Sequence, residues 1–240
     1  MDPARYPFKA LKGVSLDIRP GETVGLVGES GSEKTTLGRA VLGLASVTGG
    51  SIKYRGKENS QATRAQRKEL SHEIQVVFQD PYTSLNPSMT IEQILTEPLT
   101  VRKVERQAAN KRVAIARALA LDPKLIVCDE PVSALDLSTQ ARVMDLFVEI
   151  QERTGVAYLF VSHDLAVVRH LSHRVAVMYH GEIVEWGDGE QVTGAPEHPY
   201  TQRLFMAAPI PDPDRQAKHR AARLRLLEFQ HQQDLQAGVA

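Results

Sequence analysis

A short apolar run, a glycine-rich loop and an amphipathic helix follow one another without interruption near the start of the chain. "TVGLVG" (Thr23 to Gly28) is the kind of run that is buried on both faces of a sheet. "KTTLGRAVLGLA" carries Leu37, Ala40, Val41 and Leu44 on one helical face. The loop between them, within "GLVGESGSEKTT" (Gly25 to Thr36), joins strand to helix with no room for another element.

The same alternation recurs along the chain. "IQVVFQ" (Ile74 to Gln79) and "KLIVCDEP" read as buried strands, as does "VAYLFVSHD". "VSLDI" (Val14 to Ile18) alternates like a strand. "TIEQILTEPL" reads as a short helix capped by Thr90, with Gln93 at the capping-box position. Residues 111–121 form a helix stopped by Asp122-Pro123. "STQARVMDLFVEIQERTG" is a helix with Val143, Leu146, Phe147 and Ile150 on its apolar face and Gly155 as its cap. "RVAVMYHGEIVEWG" is a hairpin turning at His180-Gly181, and "HPYTQRLFMAA" a further short helix. Strands alternating with helices predict a three-layer α/β fold with a mainly parallel sheet and an antiparallel portion. The expected organisation is one domain over residues 1–210 and a polar C-terminal tail over 211–240.

Composition narrows the partners. Lys and Arg total 29 and Asp and Glu total 29, so no net field draws nucleic acid or anionic lipid. The basic stretch "DRQAKHRAARLRLL" reads as a solvated helix face. A single cysteine, Cys128, excludes an internal disulfide and sits in an apolar run as a small buried hydrophobe. No window approaches the ~18 apolar residues of a membrane span, and "MDPARYPFKA" has no secretory apolar region. Any membrane link is expected to run through a partner.

The chemistry concentrates at strand ends. The loop nearly matches G-x-x-x-x-G-K-[ST], with Gly28, Glu29, Ser30, Gly31 and Ser32 leading to Lys34, Thr35 and Thr36. In such a loop, backbone N–H groups and a helix N-terminus face phosphate, lysine reaches the β/γ-phosphates and the hydroxyl serves Mg2+. The competing reading is a glycine-rich turn without a ligand. Asp129 and Glu130 end one strand, fitted to support hydrated Mg2+ and to polarise water, or else simply solvated acids. His163 and Gln79 end two others. Ligands of open α/β sheets bind outside the carboxyl ends of the strands, so all four features converge on one edge.

Together these motifs resemble the nucleotide-binding subunits of ABC transporters, in the oligopeptide/dipeptide importer branch. "GLVGESGSEKTT" resembles Walker A, and "QVVFQDPYTSLNPSMTI" the Q-loop region. "IARALALDPKLIVCDEPVSALD" resembles the helix after the signature, Walker B and the D-loop. "FVSHDL" resembles the switch-histidine strand, and the segment from Gly181 to Pro213 the tail of that branch. The resemblance implies a P-loop NTPase fold, ATP and Mg2+ as ligands, and ATP hydrolysis coupled to peptide import. Nickel or another small solute stays open as cargo. It implies Lys34 on phosphate, Thr35, Gln79 and Asp129 at Mg2+, Glu130 as catalytic base, Asp136 at a dimer seam and His163 as switch. It implies a second ATPase subunit, two transmembrane permease subunits, indirectly an extracytoplasmic binding protein, and a peripheral place on the cytoplasmic face of a bacterial inner membrane.

Three departures stand out. Glu33 takes the slot of a glycine, and its carboxylate is expected to fold into the loop's own anion nest and compete with phosphate. Two like charges ~4 Å apart cost roughly 4 kcal/mol at an effective dielectric near 20, before water and side-chain rotation reduce it. Glu105 to Ala109 occupy the slot of the Leu-Ser-Gly-Gly-Gln signature with no serine and no glycine. The helical subdomain is truncated, reduced to about 80–112, and the late start of the chain leaves Tyr6 as the candidate for the aromatic that stacks on adenine. Own turnover is therefore expected to be weak or absent; the alternative to an ATPase is a non-catalytic member that pairs with an intact homologue.

Overall fold

The computed structural model describes residues 9–78, 119, 121–133 and 135–207. Several expectations lie outside these residues: Tyr6, Gln79, the helix expected at 90–99, most of the helix expected at 111–121, the signature slot, the reduced subdomain and the C-terminal tail.

Five parallel strands and one antiparallel strand make a sheet in the order β4-β5-β6-β1-β7-β8. The strands are β1 (Thr23–Val27), β4 (Ile74–Val77), β5 (Leu125–Asp129), β6 (Ala157–Val161), β7 (Arg174–Tyr179) and β8 (Glu182–Asp188). Parallel strands covered on both faces need no polar alternation, which explains their unbroken apolar sequences. Successive side chains still separate to opposite faces. Val24, Leu26, Val127, Leu159, Val161, Ala176 and Met178 meet Leu37 of α1 (Lys34–Val41) on one face. Ile126, Cys128, Tyr158 and Phe160 meet Val143, Phe147 and Ile150 of α3 (Leu137–Thr154) on the other. Phe147 stands edge-on to both Tyr158 and Phe160, each at 5.4 Å. Burying a ring of this size contributes about 2–3 kcal/mol, and edge-to-face geometry adds to it.

Capping follows local chemistry. Asp136 accepts the Thr139 amide at the start of α3, and Gly155 ends that helix in the left-handed region at φ 66°. Asp164 caps α4 (Leu165–Leu171) and Asp188 caps α5 (Gly189–Gly194). Helix α6 (Pro199–Ala207) comes next. The β7–β8 hairpin turns at His180 (φ 47°) and Gly181 (φ 81°), two positive φ values in succession as a type I′ turn requires.

Three local expectations need correction. Helix α1 stops at Val41, because Gly43 (φ 69°) closes a Schellman motif: Leu44 N–H bonds Arg39 O and Gly43 N–H bonds Ala40 O. Leu44 therefore lies beyond the helix and is exposed. Residues 14–18 form no strand. Their alternation does pack Val14, Leu16 and Ile18, each half-buried, against the core cluster, but apolar periodicity sets a face and cannot supply a ladder partner. The strand from Ile74 ends at Val77.

A small hairpin, β2 (Lys53–Tyr54) and β3 (Lys57–Glu58), and a helix α2 (Arg64–Glu73) join α1 to β4. Helix α2 has no buried residue, so it carries no apolar stripe to read; its mark is the reciprocal Thr63–Gln66 capping box. Tyr54 Oη donates to Glu73 at 2.6 Å, tying hairpin to helix. No helix among the described residues is long and apolar enough to cross a membrane.

Candidate functional site

Parallel register brings the site together. Leu26 of β1 and Asp129 of β5 both pair with Val161 of β6, so three strands end within one residue of the same row. The residues just beyond these tips therefore meet at the same edge: the loop 28–33, Glu130 and His163. A cleft of about 530 Å3 opens there, lined by Ser30, Gly31, Glu33, Lys34, Thr35, Thr36, Glu130 and His163. Its volume suits a small-molecule ligand. Gly28, Ser32 and Asp129 lie outside this lining and are buried or half-buried, and Glu29 is exposed.

Lys34 is buried, and its Nζ donates to Gly28 O at 2.8 Å, Glu29 O at 2.8 Å and Ser32 Oγ at 3.3 Å. Burial pushes its pKa down, opposed by the charges of Glu130, Asp129 and Glu29. Gly28 leaves no space for a side chain, since an added Cβ would run into Met178 O. Thr35 Oγ1 donates to Asp129 Oδ1 at 3.1 Å. Burial raises the Asp129 pKa, and the Thr35 hydrogen bond opposes this.

Glu33 is the N-cap of α1 in the left-handed region (φ 74°, ψ 22°), a conformation suited to glycine that costs other residues about 1–2 kcal/mol. Its carboxylate does not enter an anion nest, contrary to expectation. It makes no capping bond to the helix amides and instead accepts the Thr36 hydroxyl at 2.5 Å. The αL backbone aims the side chain along the helix edge, where the hydroxyl at i+3 is within reach. The first-turn amides of α1 thus keep no side-chain cap, which leaves a helix N-terminus open to an anion in the cleft.

Glu130 also has positive φ (48°), fixed by its N–H to Val161 O at 2.9 Å. Its Oε1 lies 2.9 Å from His163 Nδ1, in a pair whose carboxylate is mostly shielded and whose imidazole is mostly exposed. A carboxylate paired with an imidazole at the end of such a loop has the composition that general-base chemistry requires. For Mg2+, the Thr35 hydroxyl and Asp129 carboxylate supply hard oxygen donors at one point, which fits a cation that keeps several waters.

Sequence reasoning missed Tyr200. Its Oη accepts the Glu29 amide at 3.0 Å, from 171 residues away, a separation at which sequence carries no signal.

A phosphate loop opening into a helix, beside an acidic strand end and across an intervening strand, defines a P-loop nucleotide-binding domain. The ABC transporter family profile matches residues 11–111. The oligopeptide transport ATP-binding protein OppF of Salmonella typhimurium is 43% identical over 252 residues, covering 92% of this chain and 75% of that protein. The glutathione import ATP-binding protein GsiA of Pectobacterium atrosepticum is 45% identical over 239 residues, covering 87% of this chain but only 38% of its own length. The backbone superposes on a dimeric, post-hydrolysis ATP-binding cassette bound to ADP and Pi, with TM-score 0.64 and 25% identity, covering 75% of this chain and 90% of that one. The chain belongs to the ABC transporter family as one of its ATP-binding proteins.

Proposed function

We propose that this chain is the ATP-binding subunit of a peptide-import ABC system, with a weakened nucleotide site that works best opposite an intact homologue. The observation that carries the reading is the single cleft shared by Lys34, Thr35, Glu130 and His163. Lys34 and the α1 N-terminus hold the β/γ-phosphates of ATP. Thr35 and Asp129, with Gln79, hold Mg2+, which supplies charge neutralisation on the phosphates. Glu130 polarises the attacking water and His163 orients Glu130.

Peptide as cargo is supported by the oligopeptide transport function that OppF is named for, and the permease and binding-protein partners by the same relationship. A peripheral position at the inner face of a membrane follows from those partners. The domain spans 1–210, with a polar tail over 211–240. The weakening is supported by two features of the chain. Glu33 adds a negative charge to the wall of a polyanion site. Glu105 to Ala109 bring neither serine nor glycine to the signature slot, so this subunit offers little to a nucleotide held by its partner. The OppF alignment is longer (252) than the whole chain (240), so the relative carries residues with no counterpart here, which is compatible with a shortened helical subdomain over about 80–112.

The test is ATP binding and hydrolysis by the chain alone and mixed with an intact importer ATPase. Binding alone, with turnover only in the mixture, is the expected result. Turnover by the isolated chain at the intact partner's rate would remove the weakening, and absence of ATP binding in both conditions would remove the nucleotide reading.

A further inference from the structure

We propose that Tyr200 is a positioning residue for the phosphate loop, holding from behind the peptide that carries Lys34; the proposal rests on the nucleotide reading above. The geometry concerns one peptide unit, Gly28–Glu29. Its carbonyl oxygen accepts Lys34 Nζ at 2.8 Å, and its N–H donates to Tyr200 Oη at 3.0 Å. In a planar trans peptide these two groups point in opposite directions. Lys34 and Tyr200 therefore grip the same plane from its two sides, and neither contact survives if the plane turns.

Tyr200 is well placed to be rigid. It is 3% exposed and packs in the cluster of Val27, Val168 and Val192. Its ring lies 4.2 Å from that of Tyr179. Tyr179 leads into the β7–β8 turn, and there Gly181 N–H donates to Ser32 O at 3.3 Å. The loop is thus braced at Glu29 by α6 and at Ser32 by the hairpin. Both braces come from the C-terminal third of the chain, and they confine the two ends of the segment that faces the cleft.

Tyr200→Phe keeps the ring and the stack and removes the acceptor. Two readouts separate positioning from simple structure: exchange of the Glu29 amide by NMR in nucleotide-free protein, and affinity for a fluorescent N-methylanthraniloyl ATP. The expected result is exchange at Glu29 about tenfold faster with core amides unchanged, and affinity about fivefold to tenfold lower. Thr201→Val, its buried neighbour, is the control and leaves both readouts at the parent values. Unchanged exchange at Glu29, or faster exchange with unchanged affinity, overturns the proposal. If the parent chain does not bind the analogue, the nucleotide reading fails, and exchange at Glu29 alone upholds or overturns the brace.

Discussion

Thr36 Oγ1 donates to Glu33 Oε2 at 2.5 Å, so the acid in the phosphate loop is bound to the helix it caps and not to the loop's amides. Two separable costs sit at this residue, the left-handed backbone and the charge. Glu33→Gly removes both and Glu33→Gln only the charge. ATP affinity should rise about tenfold or more in the glycine variant, ~1.4 kcal/mol, and by a smaller factor in the glutamine variant. Titration calorimetry giving one affinity for all three proteins would show that Glu33 does not oppose ATP.

Lys34→Ala removes the cation whose ammonium spans the loop carbonyls at the cleft wall. A charge-assisted bond to phosphate is worth about 1.5–3 kcal/mol, so ATP affinity should fall roughly tenfold to a hundredfold. Fluorescent ATP titration measures this directly, and an affinity within twofold of the parent would refute the phosphate role.

The Glu130–His163 pair predicts a split between binding and chemistry. In the mixed assembly, Glu130→Gln should lower the hydrolysis attributable to this site by about 10²–10⁴ while ATP affinity stays near the parent's. Single-turnover phosphate release reads the first quantity and equilibrium binding the second. Loss of binding in proportion to loss of rate would make Glu130 a structural acid.

Arg174 binds Glu22 and Asp17 at the opposite end of the sheet, with its guanidinium 4.4 Å from the Trp186 ring centre. For Glu22, burial pushes the pKa up, but the bonds from Arg174 and the Arg19 amide outweigh it and hold the net value below 4.5. A carboxylate depressed on folding stabilises above its unfolded pKa and loses that contribution as pH falls through the folded value. Arg174→Met should therefore cost about 3 kcal/mol at pH 7, and the difference should shrink below pH ~4.5. Urea unfolding at several pH values checks both, and the double variant with Glu22→Gln should recover most of the loss.

Much of this site was legible because its parts are local. Lys34 and Thr35 come after a strand and start a helix, Asp129 and Glu130 end an apolar run, and His163 ends another; each can be placed from a window of about ten residues. The β7–β8 turn was legible for the same reason, since His180-Gly181 accepts two positive φ values. Helix α2 was not, because it buries nothing and a polar helix leaves only its cap in the sequence. Leu44 was misplaced because apolar spacing continued past Gly43, while the backbone bonds to Arg39 and Ala40 had already closed the helix.

The sequence by itself determined the six strands of the main sheet, the helices α1, α3 and α6, the family and the residue types at the cleft, since these depend on neighbours in the chain. The tertiary structure decided that Leu26, Asp129 and Val161 stand in one row, that Glu33 turns to Thr36, and that Tyr200 accepts the Glu29 amide. Such contacts are set by sheet register, a left-handed backbone and packing between residues more than a hundred positions apart. None of these quantities is encoded in a local window, so only the folded chain could fix them.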